Sequence, residues 1–416
     1  MLVESKMLTL HRNAFLSYVL LLTLTGADFY KTYDGYKILR VTLESEADYE
    51  TIIDLESGDF FEIFSEPSSK FLDILVAPKN IARCERVLKS QNLSVQVLNK
   101  NVGLSVRRQR SIQQSSPYVT VGSFSYTAYH RLTVMYDHLD AAAARHSDKA
   151  ETFNLTNMST YEGRKIQAIR ITSNVTSPAS RERPLVWIDG GIHAREWVSP
   201  ATVMYLIDSL LGEQEQGRSD DVTPLLEKFQ FVVAPCINSD GYEYTHQMDR
   251  LWRKTRKPSG CKNKNELYPG EDPFDQENVK IVKTYLEEQR DKLKVYLSYH
   301  SYSQLFLLPL GYSLDPTPDR EHHVKVGKAV VAAVYSRHQK NYIAQSFAEM
   351  YPASGVSADW TYEDLNVTDS YTIELRPEYL GEDHDFQFEL PEEQILGTAE
   401  ENFEGLLAVL NNVKEL

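Results

Sequence analysis

Apolar and polar positions change period along this chain. Residues 36–43 alternate with a period of two, as a half-buried strand requires, 59–64 and 71–76 also read as strands, and the alternation returns at 93–98. Residues 46–54 and 80–90 instead place apolar side chains on one helical face. Strand, helix, strand, strand, helix, strand is the order of a small ferredoxin-like α+β unit. From about residue 124 the pattern differs. Helical periodicity at 126–144, 200–211, 277–290, 324–338 and 392–413 alternates with apolar strands at 165–171, 184–190, 228–235, 294–300 and 371–375. That alternation predicts an α/β fold, a central sheet with helices on its faces. Between the two units runs Ser105-Val-Arg-Arg-Gln-Arg110, then a polar stretch at 111–116. It reads as an exposed linker, where proteolytic nicking concentrates.

Before the first unit, Lys6, His11 and Arg12 precede an apolar run at 14–24, followed by Thr25-Gly26-Ala27. This is the layout of a secretory signal peptide, predicted over 1–27 and shorter than the ~20 residues of a membrane span. Five sequons, at Asn92, Asn154, Asn157, Asn174 and Asn366, agree with a secreted, extracellular glycoprotein. Three cysteines, an odd number, make no disulfide scaffold. The net charge of −15 argues against nucleic acid as a partner. No other stretch could cross a membrane, so none is expected as a partner.

The strand at 185–189 runs into Gly190-Gly-Ile-His-Ala-Arg-Glu-Trp197. Two glycines permit a sharp turn, and His193 and Glu196, three apart, can offer an imidazole and a carboxylate to one cation. His300 closes the apolar strand Tyr296-Leu-Ser-Tyr-His300. Ligands of open α/β sheets gather at the carboxyl ends of strands, so the two histidines can converge. Each alone is more readily a hydrogen-bonded core histidine. The H-E-x-x-H pattern that carries zinc on a helix in some proteases is absent. Glu374, inside the apolar strand Tyr371-Thr-Ile-Glu-Leu375, is a candidate base for activating water. It is equally a candidate ion-pair partner of Arg376, two residues on, and pattern alone leaves both readings open.

Together with Asp249-Arg-Leu-Trp-Arg-Lys-Thr-Arg256, His300-Ser-Tyr-Ser-Gln304, Tyr351-Pro-Ala-Ser-Gly355 and Ile373-Glu-Leu-Arg376, these stretches resemble the zinc metallocarboxypeptidases of the pancreatic A/B type, in the family's order and over nearly all of 117–416. The resemblance implies a mixed, mainly parallel sheet flanked by helices. It implies an inhibitory prosegment at 28–110 and a catalytic domain at 111–416, activated by a trypsin-like protease near Arg110. It implies one Zn2+ per chain held by His193, Glu196 and His300, with Glu374 as general base and Arg253 steadying the oxyanion. Tyr351 would cap the terminal carboxylate of a peptide or protein substrate, and Arg195, Tyr302 and Phe388 would line subsites. Ala358 stands where basic-specific members carry an aspartate, with Met350, Leu307 and Thr372 around it. An apolar or aromatic C-terminal residue is therefore expected.

One stretch departs from the family. Cys261-Lys-Asn-Lys-Asn265 runs almost directly into Glu266-Leu-Tyr-Pro-Gly270, where the family carries a cysteine loop with an Asn-Arg pair that grips the substrate carboxylate. A lysine does not reproduce the bidentate grip of arginine. The alternative expectation is a catalytically impaired pseudoenzyme.

Overall fold

The computed structural model describes residues 30–115, 124–258 and 272–414, apart from 57, 59, 66–67, 69, 216 and 382. The signal-like segment at 1–27 and the departure around Cys261 lie outside the described residues.

The first unit is a four-stranded antiparallel sheet in the order β2-β3-β1-β4, with β1 at Lys37–Thr42, β2 at Glu62–Ile63, β3 at Phe71–Val76 and β4 at Val95–Asn99. Helices α1 (Glu46–Glu56) and α2 (Ile81–Ser90) accompany it. Leu39, Val41, Ile52, Ile74 and Leu88 bury a core of its own. The strand expected at 59–64 shrinks to two residues. Phe60 joins that core, while Phe64 packs into a cluster shared with the second unit.

The basic run is not an extended linker. It lies in α3 (Val102–Ser115), whose Val102, Val106 and Gln109 are buried at helical spacing. Arg107 pairs with Asp34, Arg108 with Glu393 at 3.3 Å, and Arg110 lies over the Tyr30 ring at 3.9 Å. An apolar stripe docked on a neighbouring surface outweighs the polar composition that suggested a loop.

The second unit is built on an eight-stranded sheet in the order β11-β10-β12-β9-β7-β8-β6-β5. The strands are β5 (Ala150–Asn154), β6 (Gln167–Ile171), β7 (Leu185–Gly190), β8 (Gln230–Ala234), β9 (Leu293–Ser303), β10 (Leu305–Leu308), β11 (Ile343–Ser346) and β12 (Asp369–Glu378). The central four, β12, β9, β7 and β8, run parallel, and antiparallel pairs flank them, giving the mixed α/β sheet expected. On one face α4 (Leu132–Arg145), α5 (Val198–Leu211), α9 (Arg320–His338) and α12 (Ile395–Leu410) enclose the main core with Ile188, Leu297, Tyr299 and Ile373. The other face carries Trp187 and Tyr296 against α8 (Glu277–Glu288) and α11 (Ser357–Glu363). Three helices complete the chain: α6 (Ser219–Lys228), α7 (Ser239–Gln247) and the single turn α10 (Phe347–Met350). The helix expected from 126 starts only at Leu132, because Tyr126 is turned inward to bond Asp208.

Arg376 pairs with Glu401 of α12, Nε donating to Oε1 at 2.9 Å. The β12 register shifts after Leu375, which turns Arg376 toward α12 and away from the face of Glu374. Both members are buried, so replacing one strands a charge. Glu401→Leu is expected to destabilise the fold by about 3–5 kcal/mol, with the Arg376→Met/Glu401→Leu double variant recovering most of it in thermal unfolding.

Candidate metal centre and substrate site

The turn after β7 is shaped by its glycines. A Cβ on Gly190 would meet Ser199 Oγ at 2.8 Å, and Gly191 has φ +63° with Pro200 Cγ 2.9 Å from where its Cβ would stand. The chain can therefore pass close to α5 and present His193 and Glu196 at the carboxyl end of β7. His300 arrives from β9, the neighbouring parallel strand.

Three donor atoms converge there. His193 Nδ1 lies 2.6 Å from Glu196 Oε1, His300 Nδ1 lies 3.2 Å from His193 Nδ1, and His300 Nδ1 lies 3.3 Å from Glu196 Oε2. Two imidazole nitrogens facing each other at hydrogen-bond distance need a shared cation or proton between their lone pairs. Bonds of ~2.0–2.1 Å in a tetrahedral site separate neighbouring donors by ~3.3 Å, so this set fits a zinc ion with little rearrangement. Burial, then the charge of Arg253, pushes His193 down to about 4, which keeps its imidazole neutral at pH 7. Burial works against ionisation of Glu196, but His193 and His300 outweigh it and hold its carboxyl well below the usual range. Ser301 N donates to Glu196 Oε2 at 3.2 Å and fixes the carboxylate.

Glu374 is paired in register with His300 across β12 and β9. Register partners on neighbouring strands share a face at ~4.8 Å, so the carboxyl of Glu374 stands beside the candidate ligand. It is 4% exposed. Arg253 is tied to the same turn, its carbonyl accepting from Ala194 N at 3.0 Å.

The candidate subsite residues lie under the first unit. Arg195 Nη2 donates to Phe64 O at 2.6 Å, Tyr302 OH to Asp73 Oδ2 at 3.3 Å, and the Phe388 ring meets Phe64 edge-on at 5.1 Å. Asp73 itself is held by Arg40 through bonds of 2.7 and 2.8 Å. Tyr351 follows α10, its ring 5.7 Å from Phe347, and is partly exposed. Ala358 is buried in α11, while Leu307 and Met350 belong to an adjoining apolar cluster that shares Val356 with it. Thr372 pairs in register with Leu307 and Ser298 and is buried.

Residues 135–265 and 261–405 match the family model described as zinc carboxypeptidase, and 39–109 match the carboxypeptidase activation peptide. The chain belongs to the zinc carboxypeptidase family. Zinc carboxypeptidase A 1 of Anopheles gambiae is 32% identical over 91% of this chain and 89% of its own length. Carboxypeptidase A1 of Rattus norvegicus is 29% identical over 91% and 94%. Among solved structures, thrombin activatable fibrinolysis inhibitor superposes with a TM-score of 0.77 at 26% identity, covering 91% of this chain and 98% of that one. This carboxypeptidase is thus a metallohydrolase of the zymogen type, and its family uses one zinc ion per chain.

Several residues that shape the carboxypeptidase site were not among those the sequence suggested. Asp189, Ser298 and Ser301 support the candidate ligands, and Arg250 and Glu389 meet α3. Only Asp189, an acid inside an apolar strand, left a signal of the kind that singled out Glu374.

Proposed function

We propose that this chain is a secreted zymogen that, once cleaved near Arg110, removes apolar or aromatic residues from the free C-termini of peptides. The convergence of His193, Glu196 and His300 beside Glu374 carries this reading. Residues 1–27 would be the signal peptide, 28–110 the prosegment and 111–416 the catalytic domain. All five sequon asparagines are exposed, which supports glycosylation and export. No helix among the described residues is long and apolar enough to cross a membrane.

Zinc, when bound by these three side chains, supplies a Lewis acid and brings water at its open position to a pKa near ~7. Glu374 takes the proton of the attacking water and passes it to the leaving amine. Arg253, held beside His193, offers a fixed cation to the oxyanion that develops. Tyr351, partly exposed, closes over the terminal residue. Leu307, Met350, Val356 and Ala358 supply an apolar lining for its side chain. Asp359, the nearest acid in sequence, accepts from Gly311 N at 2.8 Å with one oxygen. Its other oxygen is buried without a hydrogen bond among the described residues, so a basic terminal residue is the competing substrate.

The prosegment would silence the enzyme by occupying Arg195, Tyr302 and Phe388. Because the basic run lies in α3, cleavage after Arg110 requires that helix to open. Gln109 accepts from Arg250 Nε at 2.8 Å, and Ser105 Oγ lies 2.8 Å from Glu389 Oε2. Burial pushes Glu389 up to about 7, against the opposing charge of Arg250. An undocked Glu389 ionises near the ordinary glutamate value, so the docked form binds more protons between pH ~4.5 and ~7. Docking is therefore strongest below pH ~4.5 and weakens as pH rises to ~7. Activation by trypsin, corrected for trypsin's own pH profile, is expected to accelerate over that interval. Glu389→Gln should flatten the dependence.

The family model matches in two stretches that overlap at 261–265, where the sequence departs from the family; loss of the Asn-Arg pair there would weaken the grip on the terminal carboxylate. The test is release of C-terminal residues from peptides ending in Phe, Leu or Lys, and from their amides, by the trypsin-treated, zinc-supplied protein. Release of Phe or Leu ahead of Lys is expected, with weakened preference for the free acid over the amide. No turnover with zinc stoichiometrically bound would mean a pseudoenzyme.

A further inference from the structure

Behind His300 lies a buried polar chain that the hydrolytic reading does not use. Trp187 and Asp189 are neighbours on one face of β7, and Ser298 and His300 on the same face of β9, with Trp187 opposite Tyr296 and Asp189 opposite Ser298. Trp187 Nε1 donates to Asp189 Oδ2 at 2.6 Å, and Ser298 Oγ donates to Asp189 Oδ1 at 2.7 Å. Tyr296 is a further hydrogen-bond partner of Asp189. Ser298 Oγ is also 3.1 Å from His300 Nε2. Asp189 is 2% exposed and Ser298 fully buried, so water does not compete for these bonds.

We propose that Asp189, acting through Ser298, is a positioning residue that fixes the metal-binding tautomer of His300. The inference rests on the zinc reading of the site. A hydroxyl has one proton. With it given to Asp189, Ser298 can only accept from His300, so Nε2 carries the hydrogen and Nδ1 presents its lone pair. Nδ1 is the atom that faces His193 and Glu196. Ligating histidines commonly have their second nitrogen held by a carboxylate or its relay, and losing that partner weakens metal binding ~10–100-fold.

The polarity of the chain gives a test that simple core packing does not share. In Asp189→Asn the Trp187 N–H still needs an acceptor, so the amide oxygen turns to it and the amide NH2 turns to Ser298. The Ser298 proton, no longer taken by residue 189, can then be donated to His300 Nε2, which moves the imidazole hydrogen onto Nδ1. Ser298→Ala removes the relay without reversing it, and Ser298→Thr keeps a hydroxyl. Zinc affinity of the metal-free full chain is measured by competition with a chromophoric chelator, with thermal unfolding of each metal-free variant as control. Ser298→Ala is expected to bind zinc ~10-fold more weakly, Asp189→Asn nearer ~100-fold, and Ser298→Thr close to wild type. Wild-type affinity in Asp189→Asn, or equal losses in Ser298→Ala and Ser298→Thr, overturns the relay. If Asp189→Asn does not fold, the Ser298 pair decides alone. A wild-type chain that binds no zinc defeats the reading of the site itself, and the relay with it.

Discussion

Trypsin-treated Glu374→Gln is expected to lose about 10²–10⁴-fold in kcat, the range a positioned acid–base group contributes, while binding zinc as the unaltered protein does. Glutamine has the shape of glutamate and occupies the same place opposite His300, but it takes up no proton. The rival role for Glu374, neutralising Arg376, is weakened by the fold, because Arg376 is bonded to Glu401. A structural role would instead appear as lower thermal stability with kcat largely kept. Steady-state kinetics on a peptide ending in Phe, alongside zinc content and unfolding midpoint, separates the two outcomes.

Arg253→Ala is expected to cost about 10²–10³-fold in kcat, the loss seen when one preorganised oxyanion donor is removed. Its backbone position is set independently of its charge. The carbonyl is bound by Ala194 N, and Asn238 Nδ2 and Trp252 Nε1 both donate to the next carbonyl, of Lys254. Truncating the side chain therefore leaves the segment in place. Arg253→Lys should recover only part of the loss, since an ammonium is a compact point charge without the planar fork of guanidinium. A full recovery by lysine would mean that Arg253 acts through charge alone.

Much of this architecture is visible in local pattern, and what is not visible has a physical cause. Residues 71–76, apolar at every position but Asp73, form β3 over that same span, and all six are buried because both faces of the strand are covered. The strand order of the large sheet is set by pairings between distant segments, such as β12 with β9, and no local period encodes it. Strand β10 follows β9 after a single residue and is four residues long, too short for a period of its own to mark it. The basic residues of α3 drew attention from Val102 and Val106, whose burial depends on the Leu251 and Phe388 cluster far along the chain.

The candidate site divides the same way. The glycine turn, His193, Glu196 and the strand end at His300 were legible because strand ends at a sheet's carboxyl edge converge. Glu374 was ambiguous until Glu401 appeared beside Arg376. The Asp189–Ser298 bond joins residues 109 apart in the chain, and nothing in either neighbourhood announces the other.

Zinc-edge X-ray absorption on the full-length protein tests the central claim most directly. The account predicts one zinc per chain, bound by two imidazole nitrogens at ~2.0–2.1 Å and by carboxylate and water oxygens, with no sulfur. The His300→Ala variant should lose one imidazole and most of the bound metal. A sulfur shell, or a zinc signal unchanged in His300→Ala, would contradict it.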